Sequence, residues 1–480
     1  MPIHQDEIDG VPVFWADSPG AYTGGMLFRV GRIDERLHTS GITHVVEHLA
    51  LPAAAPTPGL DWNGWVGLTS TGFWASGDER DVTRFLTDVV ERLQQLPLER
   101  LETEKGILRA EEASTGRGVV QVLAGMRFGA VGIGLLDWLE LGLRRLDSDS
   151  VSAWANERFT TGNAAMWFSG PPPANLRLTL PSGPRLPPPR FDPPPDRLPA
   201  YSRWGRGGIA MSLFAPRSFA LGLGWRAAEQ RAMRRLRYER GLIYSLSVSN
   251  NPPNREDSNI VFTAECTDAN VDAVQKGLLE VLHEIAAEGP SEEEHARWVL
   301  AMETAAVDPS EAASMAYTYA EDALLDMQRT NETMLAEMRA VANVDAATAL
   351  RAAMESALIL IPEEDAEAPP PPFKEFESAA PTMKLSGKRF PLKGLKERLR
   401  REGCAVLGEA GVAWQKPDGE QAGVAFDECE ALLTWTDGTV QLVDANGSWF
   451  GVDSSTLRSG DELKASLLRA VPADRVIPMD

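Results

Sequence analysis

Cysteine is scarce: three in 480 residues, Cys266, Cys404 and Cys429, an odd number at wide spacing with no CxxC pair. That excludes a disulfide framework and a thiolate zinc site, and it predicts three buried thiols in a reducing compartment. Long hydrophobic runs are missing as well. The most apolar stretch, Phe128 to Leu136, soon meets Asp137 and Glu140, far short of the roughly 18 residues that span a bilayer. The opening MPIHQDEIDG has neither the positive stretch nor the apolar core of a secretion signal, so a cytoplasmic location is expected. Positive charge is short too, with 47 Lys+Arg against 69 Asp+Glu and a net charge of −22. Such a surface repels phosphate backbones and anionic headgroups, and without a basic patch neither nucleic acid nor a membrane is an expected partner.

What is present is globular. Hydrophobic residues at 43% and charged residues at 24% promise sizeable cores, and the length suits two or three domains. Proline marks the divisions: 12 of 34 lie between Pro171 and Pro199, a stretch that reads as a stiff extended linker. A second break spans Pro362 to Pro391. The expected units are 1–170, 204–361 and 392–480, joined by linkers at 171–203 and 362–391.

The first two units repeat one order of elements. In the first, a strand at Met26–Gly31 leads to a helix around Leu37–Leu51, strand-like GWVGLTSTGFWASG, helices from Asp81, Leu98 and Ser148, and a closing strand in AAMWFSG. In the second, a strand at Ala220–Trp225 leads to a helix through MRRLRYERG, strands in IYSLSVS and NIVFTAEC, helices from Asn270, Ser291 and Ser310, and a closing ALILIP. The predicted fold class is α+β, two duplicated half-domains, each an antiparallel sheet packed with helices. The third unit differs. Asp418-Gly419, Asp437-Gly438 and Asn446-Gly447 are hairpin turns between short strands, followed by a helix over Gly460–Ala470. This small β-rich module resembles the pleckstrin-homology layout in arrangement only.

The chemistry concentrates in GITHVVEHLAL. His44 and His48, at i and i+4, share a helix face, so both imidazoles can reach one ion with Glu47 beside them. Two nitrogens and an oxygen with an open position suit zinc. A third ligand must come from elsewhere. In LETEKGILRAEE, Glu104, Ile107, Leu108 and Glu111 form one helical stripe, and two carboxylates flanking apolar residues on a core-facing side are costly to bury without a cation. A solvated acidic helix is the competing reading of that segment alone.

Together the two segments resemble the inverted HxxEH zinc motif of the insulinase, pitrilysin and mitochondrial processing peptidase superfamily. The resemblance implies zinc ligands His44, His48 and Glu111, Glu47 as general base, and Glu104 as a supporting glutamate that does not bind metal. It extends to MLFRVGRIDERLHTSGITHVVEHL, WNGWVGLTSTGFWASGD and GNAAMWFSGP, and to LRYERGLIYSLSVS in the second half, where Arg237 and Tyr244 match a pair that helps hold the substrate carbonyl. Two departures touch the substrate-facing edge: a trimmed loop at PAAAPTPGLDW, and Gly64 where the family has alanine. The implied activity is zinc-dependent endopeptidase cleavage of peptides or unfolded segments, which would add as a strand at the sheet edge around Leu68–Ala75. The resemblance also implies a chamber of four half-domains, hence a homodimer or a heterodimer with a related chain. A non-catalytic peptide-binding or scaffold member is the alternative. The acidity favours basic or neutral peptides.

Overall fold

The computed structural model describes residues 2–479 except 53–57, 115, 191–197, 206, 328, 364–365, 377–380 and 395–402. Residues 53–57 of the trimmed-loop segment therefore lie outside the described residues. In the first half, strands β1 (His4–Ile8), β2 (Val11–Trp15), β3 (Tyr22–Phe28), β4 (Asp61–Val66), β5 (Thr71–Gly77) and β6 (Ala164–Phe168) build one sheet in the order β1-β2-β6-β3-β5-β4. Only β2 and β6 pair in parallel. In the second, β7 (Ala200–Arg203), β8 (Gly208–Pro216), β9 (Ser245–Asn250), β10 (Asp257–Glu265), β11 (Leu358–Ile361) and β12 (Lys374–Glu375) adopt the order β12-β7-β11-β8-β10-β9. The duplication read from element order thus reappears as strand order, down to an edge hairpin at one end, β4-β5 or β9-β10.

Strand alternation puts successive side chains on opposite faces, and both faces are used. Met26 and Phe28 join the first core with Val45, Val46 and Leu49 of helix α1 (Ile42–Ala50), Phe85 of α2 (Glu79–Gln94), Leu108 of α3 (Leu101–Ser114) and Val151 of α5 (Ser148–Arg158). Leu27, between them, faces the other way and packs on Ala316 and Ala320 of α9 (Ala312–Leu324), a helix of the second half. The exchange is mutual. Met211 and Leu213 of β8 face the second half's own α6 (Phe219–Ala232) and α7 (Val271–Glu288). Ala210 and Val261 face Val122 and Leu123 of α4 (Val119–Phe128), a helix of the first half. Helices α8 (Glu292–Val307), α10 (Asn331–Ala340) and α11 (Asn343–Met354) complete the second half.

The structure corrects four sequence expectations. Ala220–Trp225 is helical, within α6, because Ser218 Oγ accepts from Leu221 N at 3.0 Å and caps the helix; the strand preceding it is β8. The helix expected over Leu37–Leu51 is broken by Gly41, at φ +89°, into a short 3₁₀ turn and α1. Ile107 is 41% exposed, so α3 turns Glu104 and Leu108 inward and not the whole stripe. The strand within Leu68–Ala75 is not a sheet edge: β5 is paired on both sides, by β3 and β4, and the free edge belongs to β4.

The proline-rich stretches pack on the halves. Leu176, Leu178 and Leu180 are buried in the first core, and β7, from the end of the first stretch, and β12, from the middle of the second, enter the second sheet. Cys266 and Cys429 are buried and Cys404 is only partly so; burial pushes the Cys266 and Cys429 thiols up to about 11, which keeps them inert. Among the described residues no helix is long and apolar enough to cross a membrane.

The C-terminal module has two sheets. One holds β13 (Thr382–Met383), β14 (Lys388–Pro391), β15 (Cys404–Leu407), β16 (Gly411–Gln415) and β17 (Gln421–Ala425); the other holds β18 (Cys429–Thr434), β19 (Thr439–Asp444), β20 (Trp449–Asp453) and β21 (Val476–Pro478). The three expected turns join β16-β17, β18-β19 and β19-β20, and a helix over Gly460–Ala470 follows. Ala431, Leu433, Val443 and Ile477 pack on Leu37, Leu135 and Leu141 of the first half. Arg36 holds buried Glu430 through a two-pronged ion pair, and His38 Nδ1 lies 3.1 Å from the Glu430 carbonyl. The module therefore braces the segment that leads into α1. Arg36→Ala should lower stability by about 1–3 kcal/mol, because it strips a charged partner from a buried carboxylate. Denaturant unfolding checks this, and an unchanged midpoint would show that the pair adds nothing to docking.

Candidate metal centre

Helix α1 has no side-chain cap of its own, because its cap position is Gly41. Glu35 supplies the cap from upstream, accepting from Gly41 N and Thr43 N at 2.9 Å each. This satisfies two of the N–H groups that a helix start leaves unpaired. A side chain at Gly41 would need a left-handed conformation, and its Cβ would sit 2.9 Å from Glu140 Cβ and Leu143 Cδ2. The helix is thereby pressed against the Glu140 loop.

Val45, Val46 and Leu49 point into the core, which leaves His44 and His48 together on the other face. Their rings lie 4.9 Å apart, nearly perpendicular. Each is held through Nδ1 by a buried carboxylate: His44 by Glu140 Oε1 at 3.0 Å, His48 by Glu104 Oε2 at 3.1 Å. Arg32 donates to Glu140 at 2.8 Å, and Arg100 pairs with Glu104. Both imidazoles thus keep Nε2 for another partner. His48 Nε2 lies 3.7 Å from Glu47 Oε2 and 3.8 Å from Glu111 Oε2, and ligand atoms of His44, Glu47 and His48 lie within 4.8 Å of one another.

Those spacings fit a divalent ion. Two ligands each about 2.1 Å from a tetrahedral zinc stand roughly 3.4 Å apart. Carboxylate–histidine pairs of this kind fix the tautomer and aim of metal-binding imidazoles. His44, His48 and Glu111 could supply the ligands, with Glu111 reaching in from the exposed side of α3, where its side chain is 52% exposed.

Glu47 is 3% exposed. Burial pushes its carboxyl up to about 7; His44 pulls it down, while Glu111, Glu104 and Glu140 push further up. Burial also disfavours charge on His44, but the bond to Glu140 and its charge outweigh that and raise the imidazole. Glu140 is held below its ordinary range by His44 and Arg32, against the opposing effect of burial. Edge strand β4 passes directly over Glu47: a Cβ at Gly64 would overlap Glu47 Oε1. The glycine at this position is what lets the carboxylate lie against the strand.

A cavity of about 500 Å³ opens beside the cluster, with Glu111, Glu112, Asp137 and Glu140 in its walls, where Arg32 pairs with Glu140 and Arg117 with Asp137. Arg237 and Tyr244 do not line it. Arg237 is exposed in the π-helical turn Met233–Glu239, and Tyr244, 63% exposed, leads into the edge strand β9. One chain brings together His44, Glu47, His48, Glu104 and Glu111 and leaves this pair apart. The sequence reasoning missed Glu140 and Glu35. Glu140 carried a signal, an acid inside the apolar DWLELGL; Glu35 carried none.

With this geometry in place, the fold is that of the half-domains of M16 peptidases. Residues 218–302 match the family model described as the peptidase M16 inactive domain, a segment in the second half, outside the His–Glu cluster. No curated protein sequence matches the chain. A protease from Helicobacter pylori superposes with a TM-score of 0.59 at 14% identity, over 75% of this chain and 99% of that one. A peptidase M16 inactive domain from Pseudomonas fluorescens gives 0.62 at 12%, over 77% and 100%. The periplasmic protease PqqL from Escherichia coli gives 0.57 at 12%, over 92% of this chain and 56% of its own. Identities this low carry the fold alone.

The Glu35 cap generates a pH prediction. Burial raises its carboxyl to about 7, against the lowering effect of the bonds from Thr43 and Gly41. The folded state then holds this proton more tightly than the unfolded chain, so the contribution of Glu35 to stability is fully present below about pH 4.5 and is lost as pH rises to about 7. The stability of wild type minus that of Glu35→Gln should decline by about 1.4 kcal/mol per pH unit between about pH 4.5 and 7. A flat difference in denaturation free energy across that window would contradict the assignment.

Proposed function

We propose that this chain is a zinc metalloendopeptidase that hydrolyses peptides or unfolded segments, with His44, His48 and Glu111 as ligands. The observation that carries the reading is the pair of Nδ1-anchored imidazoles, with Nε2 left for another partner, beside a buried glutamate in one three-residue cluster. Bound zinc supplies Lewis acidity, which polarises a scissile carbonyl and brings the pKa of water toward neutrality. The chain's own residues do the rest. A peptide adds as a strand along β4, the free edge beside Glu47, which aligns its backbone by main-chain hydrogen bonds and tolerates varied side chains. Glu47 takes a proton from the attacking water on a carboxylate oxygen and returns it to the leaving amine nitrogen. Burial of Glu47 favours the protonated form, which eases uptake of that proton. Glu140 and Glu104 hold the imidazoles in register throughout.

Arg237 and Tyr244 enter this reading through a second chain. Apart from the centre in their own subunit, they would donate hydrogen bonds to the oxyanion from a partner in a homodimer, or in a heterodimer with a related chain. A non-catalytic, peptide-holding role is the second reading. Its support is the description of the matched family model as an inactive domain; that match lies outside the residues of the centre.

Purified protein should hold close to one zinc per chain. Glu47→Gln should keep that zinc while losing at least about 100-fold in cleavage of unstructured peptides. Absence of zinc by metal analysis, or unchanged hydrolysis in the variant, would sink the proposal. Glu140→Gln should weaken zinc affinity by about 10–100-fold in a chelator competition. Equal affinity would mean that Glu140 does not orient His44.

A further inference from the structure

A second cavity, about 410 Å³, adjoins the first and shares Arg32, Gln121 and Leu136 with it. It lies where the halves meet, between Val66–Leu68 at the end of β4, helix α4, and strands β8 and β10. Its chemistry is the reverse of its neighbour's. The walls are largely apolar, and although the chain carries a net charge of −22, no Asp or Glu lines this cavity whereas Arg32 and Arg127 do.

Arg127 is 1% exposed. Its Nε and Nη2 donate to Ser212 and to the Ser356 carbonyl, at 2.6–3.1 Å. Among the described residues its Nη1 has no acceptor, and Asn259 Oδ1, in the same lining, has no donor. No carboxylate forms an ion pair with Arg127 among the described residues, and desolvation alone lowers its pKa, to about 9, so the guanidinium is still charged at neutral pH. Burying a cation with only neutral partners is unfavourable. The unmet donor suits an anionic oxygen and the unmet acceptor an N–H, both of which a peptide residue bearing a carboxylate offers.

We propose that this cavity is a carboxylate-recognition subsite for the peptide bound along β4, with Arg127 as the specificity-determining residue and Asn259 receiving an amide N–H. Its place relative to the centre rests on the peptidase reading above. Gly64 lies over Glu47, and Val66 begins the cavity wall two residues further, roughly 7 Å along a strand. The group recognised therefore belongs to a residue close to the scissile bond. The same chemistry can come from a free C-terminus or from an Asp or Glu side chain. Despite the acidity of the whole molecule, a peptide carrying one acid at this position is favoured over its neutral counterpart.

The test uses the full-length zinc-loaded protein and three matched fluorogenic peptides: neutral with an amidated C-terminus, neutral with a free C-terminus, and amidated with Glu placed in turn within three residues of the cleaved bond. One carboxylate-bearing series should be favoured by tenfold or more in kcat/KM, mainly through KM, as befits a charge-assisted contact. The free-acid series would identify the terminal carboxylate, and the Glu series a side chain. The preference should vanish in Arg127→Met and in Val120→Trp, which fills the cavity from helix α4 and covers the case that the first variant folds poorly. Binding of the same peptides to Glu47→Gln, read by fluorescence anisotropy, repeats the comparison without turnover. Equal treatment of all three peptides in binding and cleavage, or a preference that survives both variants, overturns the subsite. Absent cleavage with the binding preference intact would count against the peptidase reading alone.

Discussion

Four carboxylates, Glu35, Glu47, Glu104 and Glu140, are buried around one nine-residue helix, and the rest of the centre follows from how that burial is tolerated. Like charges in a low-dielectric interior are unfavourable unless each has a partner. Glu35 takes the helix N-terminus, Glu140 takes His44 and Arg32, and Glu104 takes His48 and Arg100. Glu47 has neither a helix N-terminus nor an arginine among the described residues, and burial raises its carboxyl to about 7. On the proposed reading, a divalent cation held by the two imidazoles meets the remaining negative charge.

This arrangement depends on parts far apart in the chain. Glu140 is fixed by the loop that packs under Gly41, and its backbone N–H donates to Glu112 of α3. The C-terminal module, through Glu430 and Leu433, supports the same region from outside. The halves cannot separate without exposing apolar faces, because each covers the outer face of the other's sheet with one helix, α9 or α4. Helix α4 also carries Arg127 into the boundary, so the interlock that stabilises the chain also builds the cavity, free of acidic lining residues, that adjoins the acidic one.

Much of the architecture could be read from local pattern. The duplicated order of elements, the three hairpin turns of the last module and the closing helix rest on turn chemistry and periodicity, which act over a few residues. The errors arose where short segments satisfied two patterns. ALGLGW alternates like a strand, yet the Ser218 cap and the continuing RAAEQRA make it a helix. The residues of Leu68–Ala75 suit a sheet edge, but pairing partners, not residues, decide which strand is outermost.

The sequence by itself determined that His44 and His48 share a helix face, because a spacing of four residues fixes their angle about the axis. It also determined that Glu47 lies beside them and that α3 could offer Glu104 and Glu111. Only the tertiary structure decided what each of these does. It set Glu104 and Glu140 on the Nδ1 atoms, left Arg237 and Tyr244 outside the cavity, and buried Arg127 without a counter-charge. Helical spacing is a property of the local backbone, whereas the partner of a buried charge comes from whichever distant segment the packing brings within hydrogen-bond reach.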